Sequence, residues 1–373
     1  MPAVVLAPPK VLLLRLGGVG DVLLVTPLIR AIRARHPQAH IAVLTHRRMA
    51  PLLAENPRLD EVITLGQDDS VREAAPLLRT RSFSHLLDLE GSLRTRALRA
   101  FVPGSWFGVE EARFARWLLA RTKRNLLGDG TSLADQFFTA AHALDVSPDG
   151  GPVEVFPGSG ARMRAAQWME RAGLGQERPV VAFAPGSPHL ARRWPVEYWA
   201  ELIKKIVRTG ADAVIVGGPD DTAAASEVAL RGGPRAGSAA GELDLQETAA
   251  LLARAEALVA NDGGLLHLAS GVGRPVVGLF GPTVRQFGSY PYNAHAAVLE
   301  RELPCRPCDS RGDDGCPEKH HLCLRAIRPD DVFNVLSRTL AARPDAGARE
   351  APGKATPSPP APPDEPASGW SLF

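Results

Sequence analysis

A chain of 373 residues is too long for one compact α/β core and about right for two joined by a hinge. Its 45% hydrophobic and 23% charged residues are the make-up of a folded globular protein and exclude a chain too polar to bury a core. A formal net charge of +2 excludes a global nucleic-acid footprint, and no run reaches the roughly 18 unbroken apolar residues of a membrane-spanning helix.

The opening stretch reads as a loose leader and not a signal peptide: Lys10 follows its short apolar run, and no small-residue cleavage site appears. VLLLRL (11–16) is then a buried strand, interrupted by Arg15 and ending in the turn Gly17, Gly18, Val19, Gly20. The stripe Val22, Val25, Ile29, Ile32 predicts a helix, which Pro27 either kinks or enters in its first turn behind a Thr26 cap. HIAVLTH (40–46), VITL (62–65) and SHLLDLEG (84–91) are further strands, with a short helix around Leu52 and Leu53. The Pro- and Gly-rich stretch 147–160 is the linker to a second half of the same rhythm. There the segments 179–187, 213–221, 257–273 and 275–283 are each an apolar strand running into a Gly- or Pro-bearing loop, with a helix over Tyr198 to Val207. Strands alternating with helices imply an α/β fold of two doubly wound, Rossmann-like parallel sheets facing each other across a cleft. The expected division is 10–156, 157–343 and a Pro-rich disordered tail over 344–373.

Ligands in such folds sit at the carboxyl ends of the strands, and four loops there carry chemistry. In RLGGVGD (15–21), Gly18 and its neighbours allow close backbone approach, and Asp21 stands at a helix start. Asp21 is either that helix's cap or a general base at the cleft mouth. The spacing matches neither GxGxxG nor a P-loop. In APGSPHLARRW (184–194), either Ser187 offers a hydroxyl and Arg192 a charge to a phosphate, or Arg192 and Arg193 are simply solvated, while Trp194 and Trp199 read as packing residues. In NDGGLLHLA (261–269), Gly263 and Gly264 open a helix whose amides suit a diphosphate, with His267 one turn on as either a ligand contact or a satisfied core residue, and Asp262 positioning a cation such as Arg192 or a backbone amide. GLFGPT (278–283) adds Thr283.

Together with the segment Cys305 to Val332, these motifs resemble the heptosyltransferase family of inverting glycosyltransferases, in the expected order over about residues 10–340. The resemblance implies the GT-B arrangement, with an ADP-heptose donor on the C-terminal domain and a lipid-linked lipopolysaccharide core acceptor on the N-terminal one. It makes Asp21 the catalytic base, puts Arg192 where members often have lysine, and assigns Asp262, Gly264 and His267 to the diphosphate and sugar. Asp220 falls where an acidic residue holds the adenosine ribose. NDGG stands where many members have SG or TG, which removes one hydroxyl and keeps the amides. Arg192, Ser187, Thr283 and the helix end after Asp262 would stabilise the departing diphosphate without a metal or other cofactor. The cysteine segment favours the member that adds the second heptose.

Between Gly91 and Asn125, eight basic residues (Arg94, Arg96, Arg99, Arg113, Arg116, Arg121, Lys123 and Arg124) face two acidic ones. Trp106, Phe107, Phe114 and Trp117 interleave with them, which suits either an acidic, lipid-bearing acceptor at the inner membrane surface or an ordinary solvated helix. Cys305, Cys308, Cys316 and Cys323 have spacings open to structural zinc, disulfides or reduced packing. The resemblance brings no metal, and a reducing cytoplasm is the expected location. The competing functions are a UDP-sugar transferase or epimerase on the same scaffold, and a noncatalytic nucleotide-sugar or lipopolysaccharide-binding module.

Overall fold

The computed structural model describes residues 7–66, 70–109, 112–308 and 315–342, so the expected tail at 344–373 lies outside the described residues. The first sheet contains β1 (Lys10–Leu14), β2 (His40–His46), β3 (Glu61–Leu65), β4 (His85–Asp88) and β5 (Ser105–Gly108), in the order β3-β2-β1-β4-β5. The second contains β6 (Val180–Ala184), β7 (Asp212–Ile215), β8 (Ala236–Ser238), β9 (Ala257–Asn261), β10 (Val276–Leu279) and β11 (Ala296–Leu299), in the order β11-β10-β9-β6-β7-β8. Every described pairing is parallel; Val11 of β1, for instance, sits opposite Ile41 of β2 and His85 of β4. Strands covered on both faces need apolar residues at every position, which is why VLLL, VVAFA and ALVAN are buried from end to end.

The helices that cover the first sheet are α1 (Val19–Leu23), α2 (Thr26–Arg35), α3 (Val71–Arg81), α4 (Leu93–Leu98), α5 (Arg113–Thr122) and α6 (Leu133–Ala140). After the linker come α7 (Ser159–Arg171), α8 (Val196–Arg208), α9 (Thr222–Gly232), α10 (Leu245–Leu252), α11 (Gly264–Gly271), α12 (Leu322–Arg325) and α13 (Pro329–Ala341). Pro27 neither kinks a long helix nor follows a Thr26 cap. It lies in the first turn of a separate α2 whose cap is Val25, while the Thr26 hydroxyl donates back to the Leu23 carbonyl at 2.7 Å. The helix expected around Leu52 and Leu53 is a single 3₁₀ turn, Ala50–Leu52. The unanticipated strands β5, β8 and β11 have only three or four residues each, too few to show a pattern, and lie at sheet edges with one neighbour each.

One continuous apolar core joins the halves, with Val22, Leu23 and Ile29 from the first packed in the same cluster as Leu266, Leu268 and Ala269 from the second. The linker threads through it. Val153 and Val155 are buried, the Val155 amide donates to Gly271, and the Glu154 amide donates to the Thr26 hydroxyl. Arg30 grips Asp149 with both nitrogens of its fork and holds that carboxyl down to about 2, well below the usual carboxylate range. In both sheets the strand order reverses beside the first strand, between β1 and β4 and between β6 and β9. Ligand crevices form outside the carboxyl ends at such reversals.

Candidate active site

The residue after β1 organises the first crevice. Arg15 is 8% exposed and donates through Nη1 to the Leu89 carbonyl at 2.7 Å and through Nη2 to Asp21 Oδ1 at 2.5 Å. Its Nη1 lies 3.4 Å from Glu90, and its guanidinium stacks 5.4 Å from the Phe137 ring centroid. The other Asp21 oxygen accepts the Gly18 amide at 3.0 Å, so the carboxylate closes its own helix turn and is clamped by Arg15 together. A Cβ on Gly17 would stand 2.5 Å from that oxygen, which explains the glycine. The Asp21 side chain keeps 37% of its surface exposed.

The loop after β6 meets the loop after β9 in the second crevice. Ser187 is 5% exposed, and its hydroxyl accepts the His189 amide while its carbonyl accepts from Arg193. Arg192, at the end of a 3₁₀ turn, brings Nη1 to 3.1 Å from Asp262 Oδ2. Asp262 is 3% exposed and also accepts from the Thr283 hydroxyl at 2.6 Å. Gly263 caps α11 in an extended conformation, and Gly264 is the helix's first residue. Trp194 and Trp199 are fully buried, as packing residues are.

The two crevices touch. A Cβ on Gly264 would lie 2.6 Å from the Val19 Cβ and 2.9 Å from the Gly20 nitrogen, so α1 and α11 meet backbone to backbone. His267 lies against Gly20, where a Cβ would come within 2.8 Å of the imidazole Cδ2. Its Nε2 is 3.2 Å from the Ser289 carbonyl, which assigns the proton to that nitrogen and leaves Nδ1 as acceptor. Burial holds the imidazole below the ordinary histidine range, against the Ser289 carbonyl and the Asp262 and Asp21 carboxylates, which act the other way.

Asp220 stands exposed on the turn after β7. Its neighbour Asp221 is the one turned inward: it accepts the Gly218 amide at 3.0 Å and packs so closely on Gly186 that a Cβ there would lie 2.2 Å from the carboxyl. Sequence reasoning missed Asp221, Arg15 and Glu90. The available signal for the last two was their position at the carboxyl ends of β1 and β4. A cavity of about 530 Å³ opens beyond β5, lined among others by Val109, Arg116, Thr131, Gln136 and Gln286. The four cysteines are free thiols, and burial pushes Cys308 up to about 12. Among the described residues no group of three or more His, Cys, Asp or Glu side chains is placed to hold a metal ion, and no helix is long and apolar enough to cross a membrane.

The family model described as glycosyltransferase family 9 (heptosyltransferase) matches residues 71–318. Lipopolysaccharide heptosyltransferase 2 of Salmonella typhimurium is 28% identical over 356 residues, covering 89% of this chain and 98% of that protein. Lipooligosaccharide heptosyltransferase 2 of Haemophilus influenzae is 26% identical, covering 89% and 99%. Among solved structures, a family 9 glycosyl transferase of Veillonella parvula superposes with a TM-score of 0.77 at 23% identity, over 91% of this chain and 99% of that one. ADP-heptose heptosyltransferase II of E. coli superposes with a TM-score of 0.69 at 23% identity, over 89% and 98%. The chain has their two-sheet α/β fold, and it belongs to glycosyltransferase family 9, the heptosyltransferases.

Proposed function

We propose that this glycosyltransferase moves a heptose from ADP-heptose to the inner core of lipopolysaccharide; its relatives are named lipopolysaccharide and lipooligosaccharide heptosyltransferases, and the similar E. coli structure is that of an ADP-heptose enzyme. The observation that carries the reading is the juxtaposition of two unlike crevices. A clamped but accessible carboxylate, Asp21, stands on one side of the α1–α11 contact, and an Arg192–Asp262–Thr283 cluster at a helix N-terminus stands on the other.

In this mechanism an acceptor hydroxyl gives its proton to Asp21 as its oxygen attacks the anomeric carbon. The bond from that carbon to the diphosphate breaks on the opposite face, its electron pair leaves with ADP, and the configuration inverts. Arg192 and the first amides of α11, at Gly263 and Gly264, receive the growing diphosphate charge. Gly18, Ser187 and Thr283 line the approach, neutral His267 faces the sugar, and Asp220 meets the ribose. Because fixed protein groups do the neutralising, no divalent cation is needed. The two halves of the chain divide the substrates near residue 156, acceptor side first, and the cavity beyond β5 receives the acceptor sugar.

The acceptor is lipid-linked, which places the enzyme in the cytoplasm against the inner face of the inner membrane. On α5, Phe114 and Trp117 are 68% and 57% exposed and stack with centroids 5.9 Å apart, beside exposed Arg121, Lys123 and Arg124. An aromatic pair ringed by cations suits an anionic bilayer, so Trp117→Ala should reduce co-sedimentation with phosphatidylglycerol vesicles. The deciding experiment offers purified protein ADP-heptose and UDP-sugars in turn, each with a truncated core acceptor, before and after EDTA. Transfer from ADP-heptose alone, undiminished by EDTA, is the expected result; transfer from a UDP-sugar, or activity that only magnesium restores, would overturn it.

A further inference from the structure

The cysteine segment has no part in the mechanism above, yet one of its side chains braces a loop of the donor crevice. Arg306 sits between Cys305 and Pro307 with its side chain only 5% exposed. Its Nε donates to the Gly281 carbonyl, and Nη2 donates to the Thr283 carbonyl at 2.8 Å. Nη2 also donates to Glu300 at 2.7 Å, and Nη1 donates to the Arg301 carbonyl at 2.6 Å. Two residues on, the Cys308 amide donates to the Pro282 carbonyl at 3.2 Å. Three consecutive carbonyls of the loop after β10 are therefore held from one side by this segment.

A loop fixed in this way is fixed for a purpose that its own side chain reveals. Thr283 donates to Asp262, and Asp262 pairs with Arg192, so the orientation of the Arg192 guanidinium rests on a chain that begins at Arg306. Asp262 and Thr283 are buried, which leaves little room for the loop to shift without breaking the 2.6 Å bond between them. A guanidinium serves this place better than an ammonium because its planar fork reaches several acceptors in different directions. Glu300, held in turn by the Tyr290 hydroxyl at 2.8 Å, balances the buried charge.

We propose that Arg306 is a positioning residue for the donor diphosphate, setting the Thr283–Asp262–Arg192 chain without touching the nucleotide. The inference rests on the reading of Arg192 as the diphosphate contact, and the test separates the two. Arg306→Gln should raise the Kd for ADP by about tenfold, since several charge-assisted bonds are lost, with donor KM rising in parallel and acceptor KM within twofold. Arg306→Lys keeps the charge opposite Glu300 but not the fork, and should fall between, at about threefold. Arg192→Ala is measured beside them.

If Arg192→Ala weakens ADP binding and Arg306→Gln does not, Arg306 has no positioning role. Unchanged ADP affinity in both removes the diphosphate reading, and this inference with it. Donor and acceptor KM rising together while the melting temperature falls would show a purely structural residue and also overturn the proposal. Should Arg306→Gln not fold, Arg306→Lys decides by the same two KM values: a donor-only rise supports positioning, and unchanged values exclude it.

Discussion

The two halves carry the same turn in different company. In each, a glycine amide donates at 3.0 Å to Oδ2 of the aspartate three residues later: Gly18 to Asp21 after β1, and Gly218 to Asp221 after β7. The first turn lies where the strand order reverses, and its aspartate is also clamped by Arg15. The second lies one strand away from the corresponding reversal and presses against Gly186 and Gly217. One local device thus yields a candidate base in one place and a tightly packed cap in the other. What differs is the position in the sheet and the cation alongside, and neither is part of the four-residue motif.

The sharpest way to break that comparison is a matched pair of substitutions. Asp21→Asn should lower kcat by about a hundred- to ten-thousand-fold, the range of a lost general base, with ADP affinity unchanged by calorimetry. Asp221→Asn should leave kcat within a few-fold. Equal losses in both would show that the turn, and not its surroundings, confers the chemistry. The next effect belongs to the donor side: Arg192→Ala should weaken ADP by roughly ten- to a hundredfold, as expected for removing a charge-assisted contact. Unaltered binding would return Arg192 to a structural partnership with Asp262.

Smaller effects probe the place where the halves meet. Gly264→Ala drives a methyl into Val19 and the Gly20 backbone and should cost about 1–3 kcal/mol of stability. At Gly263 the nearest atom to a built Cβ is 3.7 Å away and φ is 176°, so Gly263→Ala should fold almost unchanged. Equal melting temperatures for the two variants would mean that α1 and α11 do not close as tightly as observed. The smallest effect is a pH dependence. Burial lowers the His267 pKa, so the unfolded chain binds its proton first. Stability is therefore full above the ordinary histidine value of about 6.5 and declines as pH falls toward the lower folded value. His267→Gln should flatten the slope of Tm against pH in that window.

How legible this arrangement was in the sequence depended on what each element had to satisfy. Central strands buried on both faces need unbroken apolar runs, so β1, β2, β6 and β9 announced themselves. The short strands β5, β8 and β11, of three or four residues, left no clear pattern, whereas the longer edge strand β3 did. Asp21 was marked by the glycine-rich turn before it, in which it leaves no room for a side chain at position 17. Arg15 read only as an interruption of an apolar run, because its partners come from three separate segments: Leu89, Asp21 and Phe137. That Asp221 caps the turn after β7 while Asp220 stays exposed is a matter of one residue of register in a 3₁₀ turn, finer than any periodicity resolves. Arg306 was hidden in a segment where the cysteines drew the eye.

The backbone contact of Gly20 and Gly264 has a mechanical meaning as well as a steric one. It is a fulcrum set beside the proposed site, with Asp21 one residue from one side of it and His267 three residues from the other. In a lever so arranged, angular travel translates into displacement in proportion to distance from the pin. A rocking of one sheet against the other would swing the far strands through wide arcs and open the rim to a bulky acceptor, while the atoms next to the pin kept nearly their working separation.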